Sequence, residues 1–219
     1  MAQHDISNII THELMKGEIR EDFLLETLRA CSDPAPVIVK GTVSDGTTDA
    51  GQLDLILLKP YSHPRKLGTQ CFVEKRDALC IIEVKGNCTG KDLRLAEKKA
   101  QVIQQLNGAN KPLYGVVCYR AMLEEKTILN RFGFQYDRET FTYFDNSLIP
   151  HEQEADWQTI HYPNLDFFVC FEDEKKTFLR KYNSAPGIYR FHRSVEYPLI
   201  KNLFSMIRSL WEQSNKTST

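Results

Sequence analysis

The sequence predicts an α/β fold in which helices cover a central sheet, within one domain that spans residues 1–219. The composition, with 42% hydrophobic and 26% charged residues, is that of an ordinary soluble globular protein with one sizeable core. Apolar runs of strand length alternate with segments whose apolar residues recur at helical spacing. A strand, a helix and a strand follow one another over residues 78–119, which predicts a right-handed parallel crossover with its helix on a face of the sheet.

The first part of the chain begins with a predicted helix and continues as strands. Apolar residues recur at helical spacing across residues 5–31, and Pro34 and Pro36 end that helix. The turn sequence SDGTTDAG and the proline-containing loop at 59–68 separate the apolar runs that follow. These runs predict strands at 37–43, 52–58, near 71–73 and at 78–85.

A capped helix follows the strand at 78–85. Thr89 is the predicted N-cap, with Asp92 three residues further on, and the sequence Asn-Gly at 107–108 stops the helix. Its predicted apolar stripe consists of Leu93, Ala96, Ala100, Ile103 and Leu106. The apolar run at 112–119 predicts the strand that completes the crossover.

The core is predicted to span about residues 5–120, and residues 121–219 form a C-terminal extension. Within this extension the pattern predicts a helix at 122–132, a loop or small insertion at 145–156, weak strands at 165–171 and 176–182, and a closing helix at 195–213. We expect the apolar face of the closing helix to pack on the core, and a subunit interface is the alternative.

Charge and cysteine usage limit the classes of partner and compartment. The formal net charge of −1 gives no overall basic signal, so contact with nucleic acid must come from a local patch. The six cysteines show neither C-x-x-C pairs nor zinc-ligand spacing, and Cys80, Cys118 and Cys170 lie in apolar runs, which predicts buried thiols in a reducing compartment. The charged N-terminal stretch lacks the apolar core of a signal peptide or a membrane span, so we expect a cytoplasmic protein without membrane contact.

Acidic residues interrupt two of the predicted core strands. In DALCIIEVKGN, residues 77–87, an apolar run ends in Glu83, Val84 and Lys85, and a glycine-containing turn is predicted to follow. Because side chains alternate along a strand, Glu83 and Lys85 share one face. Asp54 lies between leucines in QLDLILL, where burial of a carboxylate costs desolvation free energy. That cost is tolerable if the two strands are neighbours and the two acids converge on a divalent cation such as Mg²⁺.

The triplet Glu-x-Lys also has a structural interpretation, because it occurs four times in the chain. Three occurrences lie in charged stretches and predict solvated surfaces, namely Glu97/Lys99, Glu124/Lys126 and Glu174/Lys176. The fourth, Glu83/Lys85, ends an apolar strand, although a Glu/Lys pair at a strand end is a common structural device as well. Asp54, in the same kind of position in another strand, favours the catalytic interpretation.

The order of these motifs resembles that of the PD-(D/E)XK restriction-endonuclease-like superfamily over about residues 10–120. A helix with glutamates precedes the strand GQLDLIL, and the strand ALCIIEVK follows and leads into a helix. The arrangement looks closest to a bacterial group of NucC-like effector nucleases in anti-phage signalling systems. The resemblance implies a restriction-endonuclease-like mixed central sheet flanked by helices, whereas residues 121–219 show no resemblance of their own.

The resemblance matches individual residues to the motif. Asp54, Glu83 and Lys85 correspond to its Asp, acid and Lys. Glu21 corresponds to the helix glutamate, with Glu18 as an alternative match. The proline that names the superfamily is absent before Asp54, a departure that is frequent in the superfamily.

The matched residues imply metal-assisted hydrolysis of a phosphodiester. Asp54, Glu83, the Val84 carbonyl and Glu21 would hold one or two Mg²⁺ ions, for which Mn²⁺ can substitute. Lys85 would orient the attacking water or stabilise the developing negative charge. For Glu21 a solvated helix residue is the alternative.

Residues that contact the substrate are less sharply indicated. Polar residues on the helix after the motif can contact phosphates or position substrate, with a solvated helix face as the alternative: Lys91, Arg94, Lys98, Lys99, Gln101, Gln104 and Gln105. In the loop at 59–68, His63, Arg65 and Lys66 can likewise reach a nucleic-acid backbone, and an ordinary surface loop is the alternative.

Three functions fit the sequence. The first is a Mg²⁺-dependent DNA endonuclease that acts as a defence effector in the bacterial or phage world. The second is the same chemistry on RNA or on branched or single-stranded DNA, and the third is a nuclease-like domain that binds nucleic acid, a nucleotide or a protein without cleaving it. The resemblance adds a cyclic-oligonucleotide activator as a candidate partner, and cleavage of two strands favours a homo-oligomer.

Overall fold

The computed structural model describes residues 13–30, 35–134, 139, 152–154, 160–172, 177–181, 189–192 and 199–217. The helices in these ranges are α1 (Glu13–Arg29), α2 (Gly90–Gln105), α3 (Glu125–Arg131) and α4 (Leu199–Thr217). The strands are β1 (Ile38–Ser44), β2 (Leu53–Leu58), β3 (Arg65–Leu67), β4 (Gln70–Glu74), β5 (Ala78–Cys88), β6 (Leu113–Ala121), β7 (Glu152–Glu154), β8 (Phe167–Cys170), β9 (Thr177–Lys181) and β10 (Tyr189–His192). A 3₁₀ turn, Lys75–Asp77, leads directly into β5.

The described strands form one mixed sheet in the order β3-β4-β1-β2-β5-β6-β8-β9-β10-β7. The pairs β1/β4, β5/β6 and β6/β8 are parallel, and the other neighbouring pairs are antiparallel. The predicted parallel pairing of β5 with β6 is therefore confirmed. Because β8 hydrogen-bonds to β6, the sheet continues from the predicted core into the predicted C-terminal extension.

A hydrophobic cluster lies on each face of the sheet. On the first face, which we call the α2 face, the helical contributors to the cluster are Leu93, Ala96, Ala100, Ile103, Ile128 and Leu129. On the opposite α1 face, they are Leu24, Leu28, Leu203, Met206, Ile207 and Trp211. Helices thus cover both faces, as predicted, and β5 contributes to both clusters because its side chains alternate between them.

The predicted cap of α2 is confirmed. The Thr89 hydroxyl accepts the backbone N–H of Asp92, and the Asp92 carboxylate accepts the backbone N–H of Thr89 at 2.8 Å. At the other end of α2, the ammonium group of Lys75 donates to the backbone carbonyls of Gln104 and Leu106. This lysine is buried, and it offsets the partial negative charge at the carboxyl end of the helix.

Two predictions about local secondary structure are wrong, because segments predicted as a turn and a loop contain strand. The turn expected at residues 86–87 does not occur, because β5 continues to Cys88 and keeps its parallel pairing with β6, Asn87 opposite Arg120 and Cys88 opposite Ala121. The expected loop at 59–68 contains β3, which forms an antiparallel hairpin with β4. The pattern of apolar runs does not reveal this strand, because it is short, exposed and begins with Arg65 and Lys66.

Most of the remaining elements agree with the predictions where they can be compared, but β7 is a strand within a predicted loop and β10 was not predicted. The predicted helix at 5–31 starts outside the described residues, and its continuation is α1. β7 falls within the predicted loop at 145–156, most of which lies outside the described residues. Cys80, Cys118 and Cys170 are buried free thiols, as predicted, and Cys31 lies outside the described part. Among the helices that the structure describes, none is both long and apolar enough to cross a bilayer.

Candidate active site

The two acid-bearing strands are hydrogen-bonded neighbours. β2 and β5 run antiparallel with Leu55 opposite Ile82, so the start of β2 meets the second half of β5. Asp54 is thereby brought beside the segment Glu83–Val84–Lys85, although about thirty residues separate them in sequence. The two strands are therefore neighbours, the condition on which the catalytic interpretation depended, and Asp54, Glu83 and Lys85 lie together.

Asp54 is a largely buried carboxylate, with its side chain 15% exposed, and it has two partners from β5. Its Oδ2 accepts the backbone N–H of Val84 at 2.8 Å and lies 3.6 Å from the ammonium nitrogen of Lys85. Burial, followed by repulsion from Glu83, raises the pKa of Asp54 to about 6, against the opposing effects of Lys85 and the Val84 N–H. The site therefore holds carboxylates whose mutual repulsion a cation would relieve.

Glu83 is almost fully buried and its two oxygens have different partners. Oε2 lies 3.1 Å from the Nζ of Lys85. Oε1 accepts a hydrogen bond from the Nζ of Lys99 at 2.7 Å and another from the hydroxyl of Tyr114 at 2.9 Å. Burial by itself would raise the pKa of Glu83, but the ammonium groups of Lys85 and Lys99 outweigh it and hold that pKa below its ordinary value.

Lys85 lies between the two acids. Burial opposes its charge, but Asp54 and then Glu83 outweigh this effect and raise the pKa of Lys85 above its ordinary value. The residue is therefore a cation throughout the neutral range, held within 4 Å of both acids. A fixed ammonium group in this position can donate to a phosphate oxygen or to water.

The contacts of Lys99 and Tyr114 with Glu83 were not predicted from the sequence. Lys99 was predicted to be solvated or to contact phosphates, and instead it donates to Glu83 and, at 2.8 Å, to the backbone carbonyl of Gln52. Its position next to Ala100, a member of the apolar stripe, is the sequence signal that could have placed it at the edge of the buried face. Tyr114 gave a weaker signal: a tyrosine in a buried strand needs a hydrogen-bond partner.

The other half of the same triplet was also predicted wrongly. Glu97 is not a solvated residue, because its carboxylate accepts the backbone N–H groups of Asn164 at 3.1 Å and of Leu165 at 3.2 Å. It thereby ties α2 to the segment that leads into β8. The pairing partner lies 67 residues away from Glu97 in sequence, beyond the reach of any local pattern.

Glu21 lies in electrostatic range of the site but is engaged elsewhere. Its Oε2 is 2.9 Å from the Nζ of Lys40 on β1, and Lys40 also pairs with Asp22 at 2.9 Å. The Glu21 carboxylate nevertheless contributes to the raised pKa of Asp54, after burial and Glu83. Glu18, the alternative match, is exposed on α1. Among the described residues, no three His, Cys, Asp or Glu side chains are already grouped as a metal-binding cluster.

The donor set fits Mg²⁺ or Mn²⁺. Mg²⁺ prefers oxygen ligands, retains several waters, and is commonly held by one or two carboxylates together with substrate phosphates. Asp54 and Glu83 supply two neighbouring carboxylates, and burial followed by repulsion from Glu83 raises the pKa of Asp54. Val84 lies between Glu83 and Lys85 on β5, and its N–H donates to Asp54, so its carbonyl is the remaining main-chain group at this residue that could be a metal ligand.

The predicted substrate-contacting residues separate into two groups. Lys91, Arg94, Lys98 and Gln101 lie exposed on α2, the helix that also carries Lys99 into the site. His63, Arg65 and Lys66 lie instead along a cavity of about 810 Å³ between the β3–β4 hairpin and the end of α2. The first group therefore shares a helix with Lys99, whereas the second group lines a separate cavity.

Comparison with known proteins identifies similar folds. No protein-family model and no curated protein matches the chain. Among solved structures, cAAA-bound NucC of E. coli is similar with 15% identity and a TM-score of 0.65, over 95% of this chain and 84% of that chain. The cAAA-bound NucC of P. aeruginosa gives 14% identity and a TM-score of 0.67, over 95% and 85%. The apo form of E. coli NucC has 15% identity and a TM-score of 0.57, over 87% of this chain and 81% of that chain.

These similarities concern the fold, since the identities are low. They extend over most of this chain, including the C-terminal residues for which the sequence showed no resemblance. The sheet, the flanking helices and the position of the acids on β2 and β5 are the features that the motifs had indicated. The chain thus has the NucC-like form of the restriction-endonuclease-like fold.

Proposed function

We propose that this protein is a Mg²⁺-dependent endonuclease that hydrolyses DNA phosphodiester bonds in the cytoplasm, as an effector in bacterial or phage defence. The observation that carries the proposal is the convergence of Asp54 and Glu83 on either side of Lys85 at adjacent strands. Two carboxylates beside one lysine are the chemical groups needed to hold a divalent cation and to stabilise charge on a phosphate. The NucC-like fold supports the assignment to nucleases.

Each residue has a role in this proposal. Asp54, Glu83 and the Val84 carbonyl would hold the cation, with Glu21 as a further ligand once it leaves Lys40. The cation supplies Lewis acidity, which polarises the phosphate and makes water more acidic. Lys85 donates to a phosphate oxygen or orients the attacking water, since its ammonium group is fixed between the acids.

The bound substrate requires a basic surface beside these acids. We assign this role to the exposed residues of α2, which are Lys91, Arg94, Lys98 and Gln101. A helix that carries Lys99 into the site and cations on its outer face would place phosphates next to the acids. DNA is the proposed substrate, and RNA is separated from it by experiment, because metal chemistry at the phosphate does not distinguish the sugars.

A cyclic-oligonucleotide activator and a homo-oligomeric assembly are also proposed. Two of the similar NucC structures are cAAA-bound forms, which supports the test of cAAA and related cyclic oligonucleotides as activators. A homo-oligomer would bring two active sites to the two strands of a duplex. Size-exclusion chromatography with light scattering measures the oligomeric state. Its repetition with cAAA shows whether the cyclic oligonucleotide changes that state.

Nuclease assays test the proposal. Plasmid, linear duplex, single-stranded DNA and RNA would be incubated with Mg²⁺, Mn²⁺ or EDTA, with and without cyclic oligonucleotides. We expect metal-dependent cleavage that falls about a thousandfold in Asp54→Ala and Lys85→Ala. Lys201→Ala, an exposed lysine of α4, is the matched control and should cleave at the wild-type rate. Preference for RNA would reassign the substrate, and absence of cleavage under every condition would leave a binding domain on a nuclease scaffold.

A further inference from the structure

The two oxygens of the buried Glu83 carboxylate have different hydrogen-bond partners. Oε1 receives two donors that come from outside β5, the Tyr114 hydroxyl at 2.9 Å and the Lys99 ammonium at 2.7 Å. Oε2 faces Lys85 at 3.1 Å, and Lys85 is the residue that also contacts Asp54. One oxygen is therefore anchored by the scaffold, and the other accepts a hydrogen bond from Lys85, which also pairs with Asp54.

Lys99 and Tyr114, the two donors to Oε1, are themselves held in place. Lys99 donates to the Gln52 carbonyl at 2.8 Å, and Gln52 lies just before β2, the strand that carries Asp54. Tyr114 is buried on β6, the strand parallel to β5, so its ring is held by the sheet while its hydroxyl donates to Oε1. The Glu83 carboxylate is thus fixed by α2 and β6 together.

We infer that Lys99 and Tyr114 are positioning residues that fix Oε1 of Glu83 and leave Oε2 available to a divalent cation shared with Asp54. This inference rests on the proposed function for its metal, and it adds two residues to the motif triad. Groups that hydrogen-bond a metal-binding carboxylate orient it, and their removal typically costs about 10–100-fold in metal affinity or activity.

The two positioning residues differ in charge, so their removal has opposite effects on metal affinity. Tyr114 is neutral, and its loss only releases the carboxylate. Lys99 brings a positive charge within 2.7 Å of Oε1, on the same carboxylate whose Oε2 would bind the cation, and this charge repels a divalent cation. Lys99→Gln keeps a donor for Oε1 but removes the charge, whereas Lys99→Arg keeps both.

The test is isothermal calorimetry of Mn²⁺ binding, together with the Mg²⁺ dependence of cleavage. We expect Tyr114→Phe to weaken Mn²⁺ binding about tenfold and to raise the Mg²⁺ concentration for half-maximal cleavage, with little change at saturating Mg²⁺. Lys99→Gln should bind Mn²⁺ several times more tightly than wild type, by removal of one charge. Lys99→Arg should restore wild-type affinity.

Matched controls separate positioning from folding. Tyr119→Phe removes the hydroxyl of a half-buried tyrosine on the same strand, and this hydroxyl donates to the Arg20 carbonyl at 3.0 Å. Lys201→Gln removes an exposed helical lysine. Both should leave Mn²⁺ affinity unchanged, while Tyr119→Phe should lower thermal stability as much as Tyr114→Phe does.

The outcomes also separate this inference from the proposed nuclease activity. Mn²⁺ binding with the expected opposite shifts, but without cleavage of any substrate, would uphold the positioning roles and overturn the nuclease. Cleavage by wild type with Mn²⁺ affinities of Tyr114→Phe and Lys99→Gln unchanged would overturn the positioning roles alone. Failure of wild type to bind Mn²⁺ or Mg²⁺ would overturn both.

Discussion

The Asp54 carboxylate is hydrogen-bonded to the backbone of the neighbouring strand, where its Oδ2 accepts the Val84 N–H at 2.8 Å. Burial and then Glu83 raise the pKa of Asp54 to about 6, from 3.8 in its ordinary state. Because the pKa is raised, the contribution of Asp54 to stability is complete below about pH 4 and is lost as pH rises through about 6. The structure thus predicts that ionised Asp54 destabilises the metal-free protein.

Asp54→Asn tests this consequence, since an amide oxygen can still accept the Val84 N–H. Relative to wild type in EDTA, we expect the variant to gain up to about 3 kcal/mol of unfolding free energy between about pH 4 and about pH 7. Urea unfolding at a series of pH values measures the difference. Added Mg²⁺ should reduce the difference in unfolding free energy, because it stabilises wild type. A difference that does not change with pH would contradict the raised pKa of Asp54.

Lys85→Met should destabilise the metal-free protein at neutral pH. The change removes the ammonium group between Asp54 and Glu83, so that two buried carboxylates repel one another with Lys99 alone left on Glu83. Breaking a buried pair typically costs about 3–5 kcal/mol, and the partial exposure of Lys85 places this case at or below the lower end. Differential scanning calorimetry should show the loss, and Mg²⁺ should recover more stability in the variant than in wild type.

Glu21→Gln should reduce cleavage less than Asp54→Ala does. Its carboxylate is paired with Lys40 at 2.9 Å and affects Asp54 only at longer range, so it can serve as an accessory ligand but not as the main one. We expect a fall of about tenfold in the cleavage rate at limiting Mg²⁺. Glu26→Gln on the same helix, which removes a surface pair with Arg29, is the control. Equal rates for the two variants would remove Glu21 from the site.

Gly115→Ala should destabilise the sheet next to Tyr114. A Cβ at residue 115 would lie 2.4 Å from three ring atoms of Phe167, and both residues are buried in parallel neighbouring strands. Overpacking of this kind typically costs about 1–3 kcal/mol. Guanidinium unfolding measures this loss of stability. Adding Phe167→Leu to Gly115→Ala should recover part of the lost stability, because the two residues are in contact.

A glycine without such a neighbour provides the contrast. Gly17 lies in α1, and a Cβ there would meet no atom within 4 Å. Gly17→Ala should therefore raise stability by roughly 0.5–1 kcal/mol through the helix propensity of alanine. Destabilisation by both substitutions to the same extent would argue against the packing explanation for Gly115.

The core of the site could be predicted because its signals are local. Asp54 and Glu83 each interrupt an apolar strand, and a carboxylate in that context has a large desolvation cost that needs an explanation. The cap at Thr89 and the apolar stripe of α2 could be predicted for the same reason, because capping and helical periodicity act within a few residues.

The contacts of Lys99, Tyr114 and Glu97 could not be predicted, because they depend on which elements meet in space. Glu97/Lys99 and Glu83/Lys85 have the same spacing, and tertiary packing alone gives both pairs buried roles. The turn expected at residue 86 failed for a related reason. Glycine favours turns in isolation, but here the missing side chain admits the guanidinium of Arg20, whose Nη1 would lie 2.0 Å from an added Cβ.

The buried Lys75 links two elements of the site that are separate in sequence. It stands in the 3₁₀ turn that leads into β5 and donates to the carbonyls at the carboxyl end of α2. β5 carries Glu83 and Lys85, and α2 carries Lys99, so a local opening that breaks the Lys75 contacts would loosen the strand and the helix together. We therefore expect the candidate site to open as one cooperative unit, in which Glu83, Lys85 and Lys99 lose their positions together.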